Sequence, residues 1–441
     1  MHSILDQEPR SRSIGIVGTQ PEALLLSVLF AESNVPNYLV GTFERLTMKQ
    51  STRNPLEEAR WLLGIHVDNG IIRLLDSVED LPFPDIGGIV LSAHSIDLQA
   101  SSFWEKTIRA ISRNIVKGSN FIYTGLSRPG QTASIAETIQ RYGGLKVGAD
   151  IGLCYLPLLW NGENLKTFRE TPRIIAGTGR DAIVDAQELF LKIFPSLSST
   201  QRIKAGEAAG LFAPIYREVV GALELELARL CVREGVDYSD ALSLCRGLGL
   251  SSLGAPRLMP SRDSVGSEIA LSLTPTGSGA GLIRAARRVN EESDQRIVAL
   301  VKNALARCGH RLRHSKIAVL GLDGLGVNSM LRPQPLGLLQ TLKRRGATIS
   351  IYPGTGLNWV NNETFGGNIR VERNIARAVE KAHCALVALN RPENGELNPQ
   401  KLASEMSRPA AICDLTGVLE ASNVERAGLL YTSIGRGSPE A

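Results

Sequence analysis

In the first part of the chain, short unbroken apolar runs alternate with stretches of helical period. SIGIVG, NYLVG, IGGIVLSAH and SNFIYTG predict strands, while EALLLSVLFAES and SSFWEKTIRAISRNI predict helices between them. LKVGADIGLCYLP and RIIAGT add two more strands, and GRDAIVDAQELFLKIF another helix. Strand, helix, strand in this rhythm is how a doubly wound parallel sheet is written.

The period changes near Ser196. TQRIKAGEAAGLFAPIYREVVGALELELARLCVREG predicts a long helix, with Leu223, Leu227, Leu230 and Cys231 recurring at three and four residues. Pro214 lies inside it and predicts a kink or a boundary between two helices. A further helical stretch, AGLIRAARRVNEESDQRIVALVKNALARCG, follows. After Ser315 the earlier rhythm resumes with KIAVLGLDG, PLGLLQTLKRRG, ATISIYPG, NIARAVEKA, CALVALN and AAICDLTG. The expectation is therefore an α/β chain. Two Rossmann-like doubly wound domains, 1–195 and 303–441, are joined by a helical domain, 196–302, whose long helix is suited to dimerisation.

Bulk properties narrow the partners. With 441 residues the chain can bury more than one core, and 43 glycines suit an α/β protein with many tight turns. The net charge of +5 is spread out. Its densest clusters, RCGHRLRHSK and LKRRG, read singly as solvated helix ends and carry no interleaved aromatics, so nucleic acid is not an expected partner. No apolar run is long enough to span a membrane, and MHSILDQEPRSRS has no secretory apolar core; a membrane is not expected and the cytoplasm is. The six cysteines form no C-x-x-C pair, which predicts small buried thiols in a reducing compartment and no metal. His310 and His314 have helix-pair spacing but sit in a basic link, where solvated surface is favoured over a metal site. The glycine-rich run Ser272 to Ile283 lacks a Lys-Ser/Thr ending and reads as a connection rather than a phosphate loop.

The first strand ends in GTQPEA. A dinucleotide-binding turn wants G-x-G-x-x-G; here the three places hold Gly18, Gln20 and Ala23. Ala23 is an accepted variant. Gln20 places a side chain where pyrophosphate belongs, and Pro21 removes an N–H that would help cradle it. The acid expected for the ribose hydroxyls falls on Phe43, with Glu44 one residue later. These positions predict a retained fold with a weakened cofactor site at Gly18, Ala23 and Glu44.

Several phrases in this order resemble the UDP-glucose/GDP-mannose dehydrogenase family. LELELARLCVREGVDYSDAL is similar to its central helix phrase N-E-x-x-x-L-C-E-x-x-G-x-D, with Glu226, Cys231, Gly235 and Asp237 matching. KIAVLGLDGLGVNSMLRPQP resembles its strand and R-x-S-P loop through Arg332 and Pro335, and LLYTSIGRG its closing Y-x-S-I-G-R. The resemblance runs over nearly the whole chain. It implies NAD as cofactor, a nucleotide sugar as ligand, and a four-electron oxidation of a sugar alcohol to a carboxylate.

Carried over position by position, the resemblance also implies losses. The catalytic thiol falls on Gly254, between Pro256 and Arg257 on its C-terminal side and the central helix before it. The lysine and asparagine of that helix fall on Gly210 and Pro214, while the flanking Glu207 matches. The acids expected in YLPLLWNGEN fall on Pro157 or Leu158 and on Asn161. Neither glycine nor proline can supply a nucleophile or a side-chain hydrogen bond. Arg257, in the place of the thiol motif's lysine, is an expected substrate-binding residue, and in the last domain Arg332 remains able to hold a phosphate bidentately. Asp323 and Gly324 replace an F-K phrase, and Asp414 stays while an arginine becomes Thr416. Tyr216 and Arg217 are the nearest polar replacements, with helix-face hydrogen bonding as the plainer role.

The expected role is thus a divergent homologue without the parent oxidation, structural or regulatory in polysaccharide or glycoconjugate synthesis. Its expected assembly is a homodimer, or a heterodimer with an active relative. The competing reading is an NAD(P)-dependent oxidoreductase of altered, thiol-independent chemistry, using Glu44 and Arg332.

Overall fold

A computed structural model describes residues 13–41, 43, 55–94, 102–160, 164–250, 253–254, 256, 265–273, 280–322, 336–354, 369–389 and 397–436. The chain divides into two compact units: residues 1–213 with 268–273, and residues 214–267 with 274–441.

The first unit holds an eight-stranded sheet. Its strands are β1 (Ser13–Gly18), β2 (Asn37–Val40), β3 (Ile72–Leu75), β4 (Ile86–Ser92), β5 (Asn120–Tyr123), β6 (Gly152–Tyr155), β7 (Arg173–Gly177) and β8 (Leu197–Thr200). Their order is β3-β2-β1-β4-β5-β6-β7-β8, parallel except for the β6–β7 pair. The first six follow the doubly wound order, which reverses direction between β1 and β4. β3 and β8 are not evident as strands in the sequence. IRLL mixes a charge into a short apolar run, and LSST is polar with half its residues exposed.

Alternation along β1 sends Ile14 and Ile16 to one layer and Val17 to the other. The helix Pro21–Glu32 lies in the first layer, and Glu22 through Ala31 are all buried. That explains its apolar character all round rather than on one stripe. Its one buried hydroxyl, Ser27, donates to Asn37 Oδ1 at 2.6 Å. Helix Ser102–Asn114 shows the opposite pattern, burying Trp104, Ile108 and Ile111 against the second layer and exposing its charges.

The second unit contains a six-stranded, wholly parallel sheet of β9 (Lys316–Leu320), β10 (Thr348–Tyr352), β11 (Arg370–Val371), β12 (Cys384–Val387), β13 (Ala411–Asp414) and β14 (Leu430–Ser433). Its order, β11-β10-β9-β12-β13-β14, repeats the doubly wound pattern. Ile317 and Val319 face a layer built on helix Ser293–Arg307; Ala318 and Leu320 face Ala378, Leu402 and Ile412.

The long helix runs unbroken from Ile203 to Arg233 with Pro214 inside it, so the proline does not separate two helices. The later helical stretch does divide, into Gly281–Glu291 and Ser293–Arg307, at Glu292. Gly435 binds the turn after β14 to the helical part of this unit. Its φ of +86° suits glycine, and a Cβ there would stand 2.8 Å from Tyr238 Cβ and 3.0 Å from Ala228 Cβ. Tyr238 N–H donates to Gly435 O at 2.9 Å.

Candidate functional site

In an open α/β sheet, ligands bind outside the carboxyl ends of the strands where the order reverses. In the first unit that place is the exit of β1 beside β4. Gly18 is required there, because a Cβ would lie 2.6 Å from Ser92 O. Ala23 is fully buried at the third fingerprint place, letting the helix close on β1. Gln20 is the helix N-cap and gives no side-chain cap bond, and Pro21 opens the helix. Ala23 N–H is engaged by Gln20 O at 3.0 Å. Glu22, also in the first turn, is buried, and its carboxylate accepts the Trp160 backbone N–H at 2.7 Å. The turn thus has one N–H fewer than a phosphate cradle, another already bound, and a carboxylate held within it. A carboxylate in the first turn repels a pyrophosphate, and Pro21 offers it no N–H. Phe43 packs on the core at the place expected for a ribose-binding acid, while Glu44 lies outside the described residues.

The exits of β4, β5 and β6 are tied together by polar groups. Gly125 approaches β4 so closely that a Cβ would stand 1.7 Å from Ala93 O. His94, just after β4, accepts the Leu126 N–H at Nδ1, 3.1 Å away. Glu207 of the long helix is fully buried and accepts from Gly130 N at 2.6 Å, Thr132 N at 2.8 Å and Ser127 Oγ at 3.2 Å. It therefore caps helix Gln131–Gly143, whose own N-cap, Gly130, has no side chain. Burial and the Glu207 carboxylate push the Tyr155 phenol well above its ordinary range.

One turn beyond Glu207 on the same helix face comes Gly210. A Cβ there would lie 2.7 Å from Pro157 Cβ and 2.7 Å from the Tyr155 hydroxyl. The helix sits directly on the exit of β6, with no room for a side chain. Pro157 is half-buried and Leu158 fully buried in that packing. Asn161 lies outside the described residues.

In the second unit, Pro214 packs against Gly266, where a Cβ would approach Pro214 Cγ to 2.5 Å. Gly254 is held through its backbone. Its N–H donates to Glu224 Oε1 at 2.6 Å, and its carbonyl accepts the Tyr238 hydroxyl at 3.1 Å. Glu224 is buried, and burial together with this carboxylate pushes the Tyr238 phenol up to about 12. The matched residues of the central phrase form a helix stop and restart. Gly235 adopts φ +70° after the long helix, Val236 N–H closes on Cys231 O at 2.8 Å, and Asp237 Oδ1 accepts Ser239 N–H at 2.9 Å. Glu226 bonds Arg229 at 3.0 Å and Arg296 at 3.1 Å.

At the carboxyl end of β13, buried Asp414 accepts from the backbone N–H groups of Thr416, Gly417 and Leu419 at 3.0, 2.9 and 2.9 Å. The Tyr431 hydroxyl adds a bond at 3.3 Å. Its carboxylate thus shapes its own loop. Arg257, Asp323, Gly324, Arg332 and Pro335 lie outside the described residues. Tyr216 is 58% exposed. Among the described residues no cluster fit to hold a metal occurs, and no helix is long and apolar enough to cross a membrane.

Two of these groups escape the sequence reading: Glu22 and Glu224. Glu22 carries a legible signal, since a charge opens an otherwise apolar helix that is buried on all sides. Glu224 sits in the alternating LELELA, where nothing separates its inward carboxylate from the exposed one of Glu226.

No family model matches the sequence. The UDP-N-acetyl-D-mannosamine dehydrogenase of Pyrococcus horikoshii is 24% identical over 375 residues, covering 83% of this chain and 85% of that protein. The UDP-glucose 6-dehydrogenase of Rhizobium meliloti is 24% identical over 342 residues, 74% of this chain and 76% of its own length. Among solved structures, a UDP-D-ManNAc dehydrogenase from Pyrococcus horikoshii superposes with TM-score 0.75 at 21% identity, covering 96% of this chain and 99% of that one. A UDP-glucose dehydrogenase from Pyrobaculum islandicum gives 0.73 at 17% identity, with 99% and 100% covered. The chain has the Rossmann-like fold of the nucleotide-sugar dehydrogenases, and its relatives in sequence are UDP-sugar dehydrogenases.

Proposed function

We propose that this chain is a nucleotide-sugar dehydrogenase homologue that does not perform the four-electron oxidation its resemblance implies, and that it serves a structural or regulatory role in polysaccharide or glycoconjugate synthesis. The observation that carries this reading is Gly210. The resemblance puts a lysine there, yet the volume its side chain needs is filled by Tyr155 and Pro157. A lysine lost by drift alone leaves a hole; here the surroundings have closed over the position. Glu224 at Gly254, where the resemblance puts a thiol, supports the same reading, because a carboxylate holds the backbone of that segment. The Gln20-Pro21-Glu22 turn supports a weakened NAD site.

Dimerisation through the long helix belongs to this proposal. Tyr216, Val220, Leu223, Leu227 and Leu230 recur at alternating spacings of four and three, with Tyr216, Leu223 and Leu230 exposed by 58%, 48% and 45%. Such a stripe matches a helix-pairing seam. The expected setting is the cytoplasm, with a nucleotide sugar as the ligand sensed.

The test is a steady-state assay of the full chain with NAD and UDP-glucose, UDP-N-acetylmannosamine or GDP-mannose, beside a thermal-shift titration with the sugars alone. No NADH formation, with a saturable shift for one sugar, is expected. Steady NADH production overturns the proposal.

A further inference from the structure

Two basic clusters lie about thirty residues apart in sequence, and each taken separately is an ordinary solvated helix end. The fold joins them. His314 N–H donates to Gly346 O at 2.8 Å, and a Cβ on Gly346 would stand 2.8 Å from Arg313 Cγ. The turn entering β9 therefore rests on the turn entering β10. Lys316 Nζ donates to Glu380 O at 2.5 Å, His383 N–H to Lys316 O at 2.9 Å, and Lys381 N–H to Glu405 O at 2.7 Å. His310 Nε2 meets Pro409 O at 3.0 Å, and the rings of His310 and His383 lie 4.4 Å apart. The turns entering β10, β9, β12 and β13, neighbours in the sheet, thus form one continuous edge.

That edge is cationic. Residues 307–316, 343–346, 380–383 and 405–410 contain nine Lys and Arg against two Glu, while the whole chain carries only +5. Seven of the nine are exposed: Arg307, Arg311, Arg313, Arg344, Arg345, Lys381 and Arg408. None of the nine forms an ion pair among the described residues. Arg307, Lys343 and Arg344 end helices and complement their dipoles. The dipole does not account for Arg311, Arg313, Lys381 or Arg408, which lie outside those helices. The edge is also the amino-terminal side of a parallel sheet, away from the carboxyl ends where ligands of this fold bind.

We propose that this edge docks the protein on an anionic phospholipid surface. Six of the nine cations are arginines, whose forked guanidinium suits phosphate oxygens. The charges come from successive turns along one sheet edge, which is the geometry a planar array of headgroups accepts. Duplex nucleic acid is favoured less: among these residues there is no Phe, Tyr or Trp to stack on a base, and they lie on turns and helix ends rather than along a helix or ribbon that enters a groove. Docking is electrostatic and reversible, because no apolar anchor accompanies the cations.

The full chain is mixed with phosphatidylcholine vesicles, with or without about 30 mol % phosphatidylserine, and sedimented at low and high salt. Binding is expected only with phosphatidylserine, falling about tenfold or more as salt rises from about 0.05 to about 0.5 M. The triple variant Arg311→Glu, Arg344→Glu, Arg345→Glu is expected to lose about tenfold or more in affinity. A charge-matched variant in the first unit, Arg141→Glu, Arg169→Glu, Arg180→Glu, is expected to retain it; all three of these arginines are exposed. Circular dichroism checks that both variants fold, and the salt series on the unaltered chain stands whether or not they do. No binding to phosphatidylserine vesicles, equal loss in both variants, or tighter binding to duplex DNA at equal phosphate concentration overturns the proposal.

Discussion

Trp160 gives its backbone N–H to the carboxylate of Glu22, 2.7 Å away, across 138 residues of chain. The bond joins the first turn of the first helix to the segment leaving β6, and it is buried at the Glu22 end. Removing the acceptor strands polar groups there. Glu22→Ala is expected to destabilise the chain by about 1–3 kcal/mol, and Glu22→Gln, which keeps an acceptor oxygen, by less. Chemical denaturation of the three proteins side by side checks the ranking; equal stability of Glu22→Ala and the parent contradicts it.

Glycine inside a helix is ordinarily improved by alanine, by about 1 kcal/mol. At Gly210 the sign should reverse. An added methyl meets Tyr155 and Pro157 at 2.7 Å, so Gly210→Ala is expected to cost about 1–3 kcal/mol through overpacking. Gly247, at the end of helix Tyr238–Gly247, has nothing within 4 Å of a Cβ, and Gly247→Ala is expected to be neutral or stabilising. Gly210→Lys should be worse than Gly210→Ala and should not create dehydrogenase activity. A thermal melt of each variant checks the stabilities, and an NADH assay of Gly210→Lys checks the activity.

Glu207 is the only side chain capping helix Gln131–Gly143 among the described residues, and it accepts three hydrogen bonds there. Glu207→Ala is expected to cost more than a local cap does, about 2–4 kcal/mol, because two backbone N–H groups lose their acceptor in a buried place. Hydrogen exchange at Gly130 and Thr132 should accelerate before global unfolding in that variant. Unchanged protection at both amides tells against the capping role.

Two histidines set a pH dependence. Burial holds His383 below its ordinary value, with His310 adding to the effect; burial does the same to His66, with Glu32 opposing it. In each case the unfolded chain takes up a proton at higher pH than the folded one. Their contribution to stability is therefore full above about pH 6.5 and is lost as pH falls through that value toward the depressed one. His383 Nδ1 also accepts Lys316 N–H at 3.0 Å, a bond that protonation of that nitrogen breaks. His383→Asn, which keeps an acceptor and cannot titrate, should flatten the slope of unfolding midpoint against pH between about 7 and 5.5. An unaltered slope removes His383 from the account.

The thiols should sort by burial. Cys154, Cys308, Cys384 and Cys413 are buried, and burial raises the Cys154 thiol to about 12. Cys231 and Cys245 are half-buried. A thiol-specific disulfide reagent at pH 8 is expected to modify Cys231 and Cys245 in the native chain and all six cysteines in denaturant. Modification of Cys154 without unfolding contradicts this order.

Much of the architecture is legible in the sequence because buried parallel strands are written as unbroken apolar runs, and β1, β4, β9 and β12 are such runs. β3 and β8 are not legible: they are the two edges of the sheet, only partly buried, and neither IRLL nor LSST is an unbroken apolar run. The single helix through Pro214 defeats local reasoning: the helix runs on past the proline, whose ring packs against Gly266. Of the candidate positions, the sequence names Gly18 and Gly210 in the first unit and Gly254 in the second. What fills the space at each is tertiary. Ser92 at Gly18, Tyr155 and Pro157 at Gly210, and Glu224 at Gly254 come from other elements, and no local pattern foretells them.

Gly435 closes on Tyr238 and Ala228, about two hundred residues earlier in the chain. Contacts of such wide sequence separation must first overcome the entropy of closing a long loop, so this one is expected to form late in folding. The pairs β1–β2 and β4–β5 join near neighbours in sequence and are expected to form early.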